Sequence, residues 1–279
     1  ALFIALEQSI VIAQQTEGSK GLSRGALPEI FQEALNVSFD SNIGHNYLED
    51  ADARYEFYHN EEERISFDLD ELNKITNGGL PKKTLNIAMG ASGCGKTLFL
   101  CHLSSAWLAM GLNVLYITLE MSEERIAERI DANLMDVEVN HMKNMSKDVF
   151  NKNIDAMKSK MGKLVIKEYA TGSANVGHFR FLMQELKQKQ GFVPDVVCVD
   201  YINICSSSRK SAGENSYTIV KSITEELRGF AIEFNLPVFS LTQTGRTGFD
   251  ASDMSATDVS ESIGLVQTAD MVLGLISND

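Results

Sequence analysis

Only four cysteines occur in the 279 residues, Cys94, Cys101, Cys198 and Cys205, and none stands in a CxxC pair. That spacing supplies neither a disulfide framework nor a zinc site, and it reads as small buried thiols in a reducing compartment. The histidines, His45, His59, His102, His141 and His178, are scattered without metal-ligand spacing and are read as surface or packing residues. No run approaches the ~20 consecutive apolar residues of a membrane span, and no basic stretch precedes an apolar one at the start. The expectation is a soluble, cytoplasmic protein with no membrane partner. Positive charge is scarce as well: 25 Lys and Arg face 38 Asp and Glu, for a formal net charge of −13. Such a balance argues against a broad basic face that coats nucleic acid. A narrow contact confined to a few loops stays compatible with it. Internal repeats and low-complexity tracts are absent too.

What the chain does have is apolar side chains, 44% of the total, enough for one large α/β core and a smaller appendage. Residues 1–16, ALFIALEQSIVIAQQT, carry Leu2, Phe3, Leu6, Ile10, Val11 and Ala13 at the spacing of a helix with one apolar face. A glycine- and serine-rich connector follows, then a short helix with Pro28 near its first turn, then an aromatic-rich acidic stretch to about Arg64. The pattern identifies the apolar face of the first helix but not its partner, which is either its own domain or a neighbouring subunit.

From Ile65 onward strands and helices alternate, the signature of a mainly parallel, twisted sheet with helices on both faces. Strands are predicted near 84–90, 114–120, 163–168, 195–200, 237–243 and 270–276. Helices are predicted near 96–110, ended by Gly111, near 123–134 behind the N-cap Ser122, across 146–160, and near 175–189 and 216–234. The expected division is thus 1–64, a helical linker and connector, and 65–279, the α/β domain.

The string GASGCGKT, Gly90 to Thr97, lies between the apolar run TLNIAM and the apolar-periodic LFLCHLSSAWLAM. A strand, a glycine turn and a helix start make this G-x-x-x-x-G-K-[ST] match a phosphate cradle. Backbone N–H groups of the turn and the positive end of the helix dipole converge on the phosphates of ATP or another NTP. The nucleotide-binding set is Gly90, Ala91, Ser92, Gly93, Cys94, Gly95, Lys96, Thr97 and Leu98. Lys96 adds a point charge, and the Thr97 hydroxyl can ligate Mg²⁺.

Ligands of open α/β sheets sit at the carboxyl ends of the strands, so the polar residue ending each apolar strand is the one to weigh. VVCVD ends in Asp200, a carboxylate able to hold Mg²⁺ opposite Thr97. NVLYITLEM reaches Glu120, placed to polarise the water that attacks the γ-phosphoryl group; Glu123 and Glu124 fall in the following helix's first turn, where acids gather whatever the function. PVFSLTQ ends in Gln243, able to position water or sense the γ-phosphate. Two loops then leave the same edge, one with Arg209 and Lys210 among serines, the other with Arg246 between glycines. Basic and hydroxyl side chains of this kind suit a sequence-neutral grip on a phosphodiester chain, although an RK pair in a serine-rich loop is also an ordinary solvated turn.

GASGCGKT, YITLEM, VVCVDYINI and SLTQTGR, with SESIGLVQTADMVLGL near the end, resemble the RecA-like motor domain of DnaB-like replicative helicases, and within them the T-even-type bacteriophage helicases. The resemblance extends upstream to GALPEIFQEAL and FDSNIGH. It implies a homo-hexameric ring that encircles single-stranded DNA, moves 5′ to 3′ and unwinds duplex at the expense of NTP, with a primase and a helicase loader as partners. On it, Lys96 and Thr97 hold triphosphate and Mg²⁺, Asp200 is the second Mg²⁺ group, Glu120 the base and Gln243 the sensor. Arg209, Lys210 and Arg246 face the channel, and the helix at 2–13 docks on the next subunit. Family members also carry an N-terminal collar and a late strand with a trans-acting basic residue, neither of which this sequence contains, so a longer protein is expected. A filament-forming RecA-like DNA-dependent ATPase and a nucleotide-binding regulator are the competing functions, separated by ring against filament and by DNA stimulation of hydrolysis.

Overall fold

The computed structural model describes residues 10, 46–59, 62–209, 216–243 and 263–276. The chain forms two compact units, Ala1–Glu61 and Glu62–Asp279. In the first, helix α1 (Ala51–His59) has no buried residue. Its Tyr55 and His59 rings stack at 4.1 Å, and the Arg54 guanidinium lies 4.2 Å from the Tyr47 ring centre. The helices expected at 2–13 and after Pro28 lie outside the described residues.

The second unit opens with β1 (Arg64–Ile65), α2 (Asp70–Ile75) and β2 (Leu80–Pro81). The two strands form an antiparallel ribbon in which Arg64 pairs with Pro81 and Ile65 with Leu80. β3 (Leu85–Gly90), α3 (Lys96–Ala109), β4 (Val114–Thr118), α4 (Glu123–Leu134), α5 (Val139–Met142), α6 (Lys147–Lys158) and β5 (Leu164–Glu168) follow. Then come α7 (Val176–Gln190), β6 (Val196–Asp200), a 3-10 turn (Ile202–Ile204), α8 (Ser216–Phe234), β7 (Val238–Gln243), α9 (Ile263–Thr268) and β8 (Met271–Leu275).

The six-stranded sheet has the order β5-β4-β6-β7-β3-β8, with every pairing parallel. Its central strands are buried along their length, because parallel strands are covered on both faces and so read as nearly continuous apolar runs. Alternation divides the core. Leu115, Ile117, Val197 and Val199 pack with Phe179 and Leu182 of α7 and Leu227 and Phe230 of α8. Val114, Tyr116, Val196 and Cys198 pack with Leu100 and Leu103 of α3 and Ile126 of α4. Burying one such side chain is worth roughly 1.5–3 kcal/mol.

All six predicted strands and five predicted helices form within a few residues of their expected bounds. Ser122 caps α4 by accepting the Arg125 N–H, as the sequence indicated. Asn175 and His178 close a reciprocal capping box on α7. The ribbon and the short helices α2, α5 and α9 were not anticipated, since elements of 4 to 6 residues have no room for a periodic apolar stripe.

One expectation is corrected at the edge of the sheet. Glu120 does not end β4, whose ladder stops at Thr118. The Thr118 hydroxyl donates to the Met121 carbonyl at 2.8 Å and accepts the Met121 N–H at 3.1 Å, curling the chain so that Glu120 stands on a bend.

Candidate nucleotide site

At the carboxyl edge a cleft of about 270 Å³ opens between the glycine loop and the ends of β4, β6 and β7. Ser92, Gly93, Gly95, Lys96, Thr97, Leu98, Glu120, Met121, Arg129, Tyr201 and Gln243 line it. The loop can take this shape because Gly93 and Gly95 sit at φ +82° and +91°, where a side chain would be strained. Gly95 is also the N-cap of α3, so the helix's unpaired N–H groups point into the loop. The Lys96 ammonium donates to the carbonyls of Gly90 (3.0 Å) and Ala91 (2.6 Å), within the loop itself.

Gly90, Ala91 and Cys94 belong to the same loop but not to the cleft lining; Gly90 closes β3 in register with Gln243 of β7. That register brings Gln243 to the phosphate loop. Glu120 arrives from β4 and is solvent-exposed. Its rivals are engaged elsewhere: Glu123 Oε1 accepts the Glu168 N–H at 2.8 Å, and the Glu124 carboxyl is held below its usual range by hydrogen bonds at the helix start. Neither lines the cleft.

Asp200 ends β6 behind the cleft and is fully buried. The Tyr116 hydroxyl donates to its Oδ2 at 3.0 Å, while its Oδ1 has no hydrogen-bond partner. Burial pushes the Asp200 carboxyl upward; the hydroxyls of Tyr116 and Thr97 pull it back, the charge of Glu120 raises it and that of Arg129 lowers it. Burial also carries the Tyr116 phenol well above its ordinary value, with the Asp200 charge acting in the same direction, so it stays a donor.

Arg209, the one DNA-loop candidate among the described residues, does not line this cleft. Arg209 stands on the loop after the 3-10 turn, with Nη1 3.3 Å from Glu225 Oε2 of α8. The base of that loop is fastened by buried Glu226, which accepts the Ser207 hydroxyl (2.6 Å) and the Ser208 N–H (3.1 Å). Lys210 and Arg246 lie outside the described residues.

Sequence reasoning missed three cleft residues. Arg129 comes from the middle of α4, and charge on a helix carries no signal of what it faces. Met121 and Tyr201 directly follow Glu120 and Asp200, where nothing but adjacency to a strand end could have marked them.

A parallel sheet with a phosphate loop, two acids and a glutamine near one carboxyl edge defines a RecA-like α/β fold. The chain belongs to the DnaB-like helicases: residues 65–279 match the DnaB-like helicase C terminal domain. It is 40% identical over 281 residues to the DnaB-like replicative helicase of Enterobacteria phage T4, covering 99% of this chain and 59% of that protein. To the probable plasmid replicative DNA helicase of Chlamydia psittaci it is 31% identical, over 66% of this chain and 40% of that one. A solved DnaB-like replicative helicase, described with its interactions with primase, shares the fold at TM-score 0.71 and 18% identity, over 99% of this chain and 66% of that chain. The chain therefore spans little more than half of the phage relative.

Proposed function

We propose that this chain is the motor of an NTP-driven, ring-shaped replicative helicase that moves 5′ to 3′ along single-stranded DNA and parts the duplex ahead of it. The observation that carries this is the convergence of Lys96, Thr97, Glu120 and Gln243 in one cleft, with Asp200 behind it, at the edge from which the Arg209 loop leaves. Lys96 exchanges its two loop carbonyls for phosphate oxygens, and the loop N–H groups with the α3 N-terminus hold the remaining charge. Glu120, exposed and unburdened by a helix start, takes the proton of the attacking water. Gln243 orients that water or reads the γ-phosphate, and Arg129 offsets triphosphate charge from the α4 side.

Mg²⁺ fits the residues present, because a fully buried carboxylate oxygen with no hydrogen-bond partner, Asp200 Oδ1, is otherwise a cost to the fold. Thr97 and Asp200 would hold it, and when bound it would supply positive charge that offsets the charge of the triphosphate. Arg209, Lys210 and Arg246 are the proposed contacts to DNA phosphates. Six copies form the proposed ring; the segment 2–13, which the family resemblance marks as the contact to the neighbour, lies outside the described residues apart from Ile10. Primase and loader are its partners, the first matching the interactions described for the solved relative. Among the described residues no helix is long and apolar enough to cross a membrane, and the proposed setting is the host cytoplasm.

The test is hydrolysis of ATP with and without single-stranded DNA, beside unwinding of a forked duplex bearing a 5′ tail. Stimulation by DNA, unwinding, and loss of both in Lys96→Ala are expected. Hydrolysis indifferent to DNA would remove the motor function, and filaments in place of rings by negative stain would remove the helicase.

A further inference from the structure

Asp200 and Tyr116 stand on adjacent parallel strands in a fixed diagonal. β4 and β6 pair Thr118 with Asp200 and Tyr116 with Cys198, and side chains two apart on a strand share a face. Tyr116 thus sits one step back from Asp200 on the face covered by α3, and a tyrosine is long enough to span that diagonal. Its hydroxyl ends 3.0 Å from Asp200 Oδ2, with the Cys101 sulfur of α3 at 4.0 Å on another side. The ring has no solvent exposure. A phenol in this apolar layer costs desolvation free energy that a phenylalanine would not, and the bond to Asp200 is what offsets it.

The bond also makes the two oxygens of Asp200 unequal. Oδ2 is held by a donor that packing fixes in place, while Oδ1 accepts no hydrogen bond and the Thr97 hydroxyl stands near the carboxylate. We propose that Tyr116 is a positioning residue for the divalent cation: by fastening Oδ2 it sets the carboxylate plane and presents Oδ1 alone, directly or through water, as the acceptor beside Thr97. This rests on Asp200 being the cation's carboxylate. Partners that hold a metal-ligating group from behind orient it and tune its affinity, and their loss lowers metal affinity about 10- to 100-fold.

The experiment measures Mn²⁺ binding to the full chain with ADP, by electron paramagnetic resonance titration, in wild type, Tyr116→Phe and Asp200→Asn. Tyr116→Phe is expected to weaken Mn²⁺ binding about 10- to 100-fold while metal-free ADP affinity stays within about twofold, with excess Mg²⁺ restoring turnover. A purely structural tyrosine would lower the unfolding temperature and leave the metal dependence unmoved. Unchanged Mn²⁺ affinity in Tyr116→Phe, with loss in Asp200→Asn, overturns the role of Tyr116 and spares that of Asp200. Unchanged affinity in Asp200→Asn overturns both. Should Tyr116→Phe fail to fold, 3-fluorotyrosine placed at 116 serves instead. Its ¹⁹F resonance should shift when Mg²⁺ is added to the ADP complex, and a stationary signal overturns the proposal.

Discussion

The Thr242 hydroxyl donates to Asn203 Oδ1 at 2.8 Å, joining the penultimate residue of β7 to the 3-10 turn that follows Asp200. Gln243 is the next residue on one side, and the Ser207–Arg209 loop continues from the other. The bond is the one direct side-chain tie on the described residues between the strand end that meets nucleotide and the turn leading to that loop. Thr242→Val keeps the shape and removes the donor, leaving Asn203 short of a partner. We expect basal hydrolysis within about threefold of wild type but DNA stimulation reduced severalfold, on the scale of ~1 kcal/mol for one neutral hydrogen bond. Equal loss of both rates would mean that the bond only supports the fold.

Glu120→Gln should bind nucleotide normally and turn over at least ~10²-fold more slowly, because it removes a base and leaves the cradle. Glu123→Gln should stay within a few-fold of wild type, since that carboxylate serves the Glu168 N–H and not the cleft. The reverse pattern in single-turnover rates would falsify the assignment. Arg129→Ala should instead raise the nucleotide dissociation constant about tenfold, because it strips a positive charge from the cleft wall.

Much of this site was legible in the sequence because strand ends and a glycine loop are local patterns. VVCVD ends a buried strand with a charge, and no apolar core accepts an aspartate there without a partner. The partner itself was not legible: Tyr116 meets Asp200 only through the β4–β6 register, which sequence does not print. Arg129 was hidden for the same reason, being one polar residue among several on α4. The six strands were readable as runs of Val, Ile and Leu, whereas their order, with β8 beyond the phosphate-loop strand, came only from the pairing. Glu120 was placed at the strand tip because Leu119 prolongs the apolar run; the Thr118 hydroxyl, which captures the Met121 backbone, ends the ladder sooner.

Three of the four thiols are buried, and burial raises Cys101 to about 11 and Cys198 and Cys205 to about 12. Thiolate is the reactive form, so Ellman's reagent at pH 8 should modify Cys94 alone in the folded protein and all four after denaturation, with ADP slowing the first. The stability consequence has a definite sign. A thiol whose folded value lies above its unfolded value of 9.0 stabilises fully below pH 9 and loses that contribution as pH rises toward 11 or 12. Urea midpoints should therefore fall between pH 9 and 11, with Tyr116 adding to the slope. Rapid labelling of Cys198 in the folded chain would contradict this placement.

Trp107 fastens the ribbon segment to the sheet. Its Nε1 donates to the Ser66 carbonyl at 3.1 Å, and its buried ring meets Phe67 at 6.4 Å and Phe239 at 6.1 Å. Trp107→Phe should cost about 1–3 kcal/mol through the unpaired carbonyl and the reduced side-chain volume, and Trp107→Ala about 3–5 kcal/mol. Denaturant melts followed by circular dichroism decide it, since this is the sole tryptophan. A smaller loss in the alanine variant than in the phenylalanine one would show that the ring does not anchor the segment.

The Arg209 loop yields the sharpest electrostatic test, because its guanidinium already has a partner. Arg209 lies 3.3 Å from Glu225, and Lys221 lies 3.9 Å from the same carboxylate. A DNA phosphate must compete with Glu225 for Arg209, and an exposed pair of this kind is worth only ~0.2–1 kcal/mol. Glu225→Gln should therefore tighten single-strand binding roughly 1.5- to 5-fold, the same free energy expressed as affinity. Arg209→Ala should weaken it, with little dependence on base sequence, and lower the slope of log K against log salt by ~0.7, the value for a single phosphate that is no longer neutralised. The double variant separates the causes: with Arg209 gone, Glu225→Gln can release only Lys221, and it should add little if Arg209 is the cation that meets DNA. Tightening by Glu225→Gln that persists in the Arg209→Ala background would assign the effect to Lys221 or to general charge, and an unchanged salt slope in Arg209→Ala would place Arg209 off the DNA path.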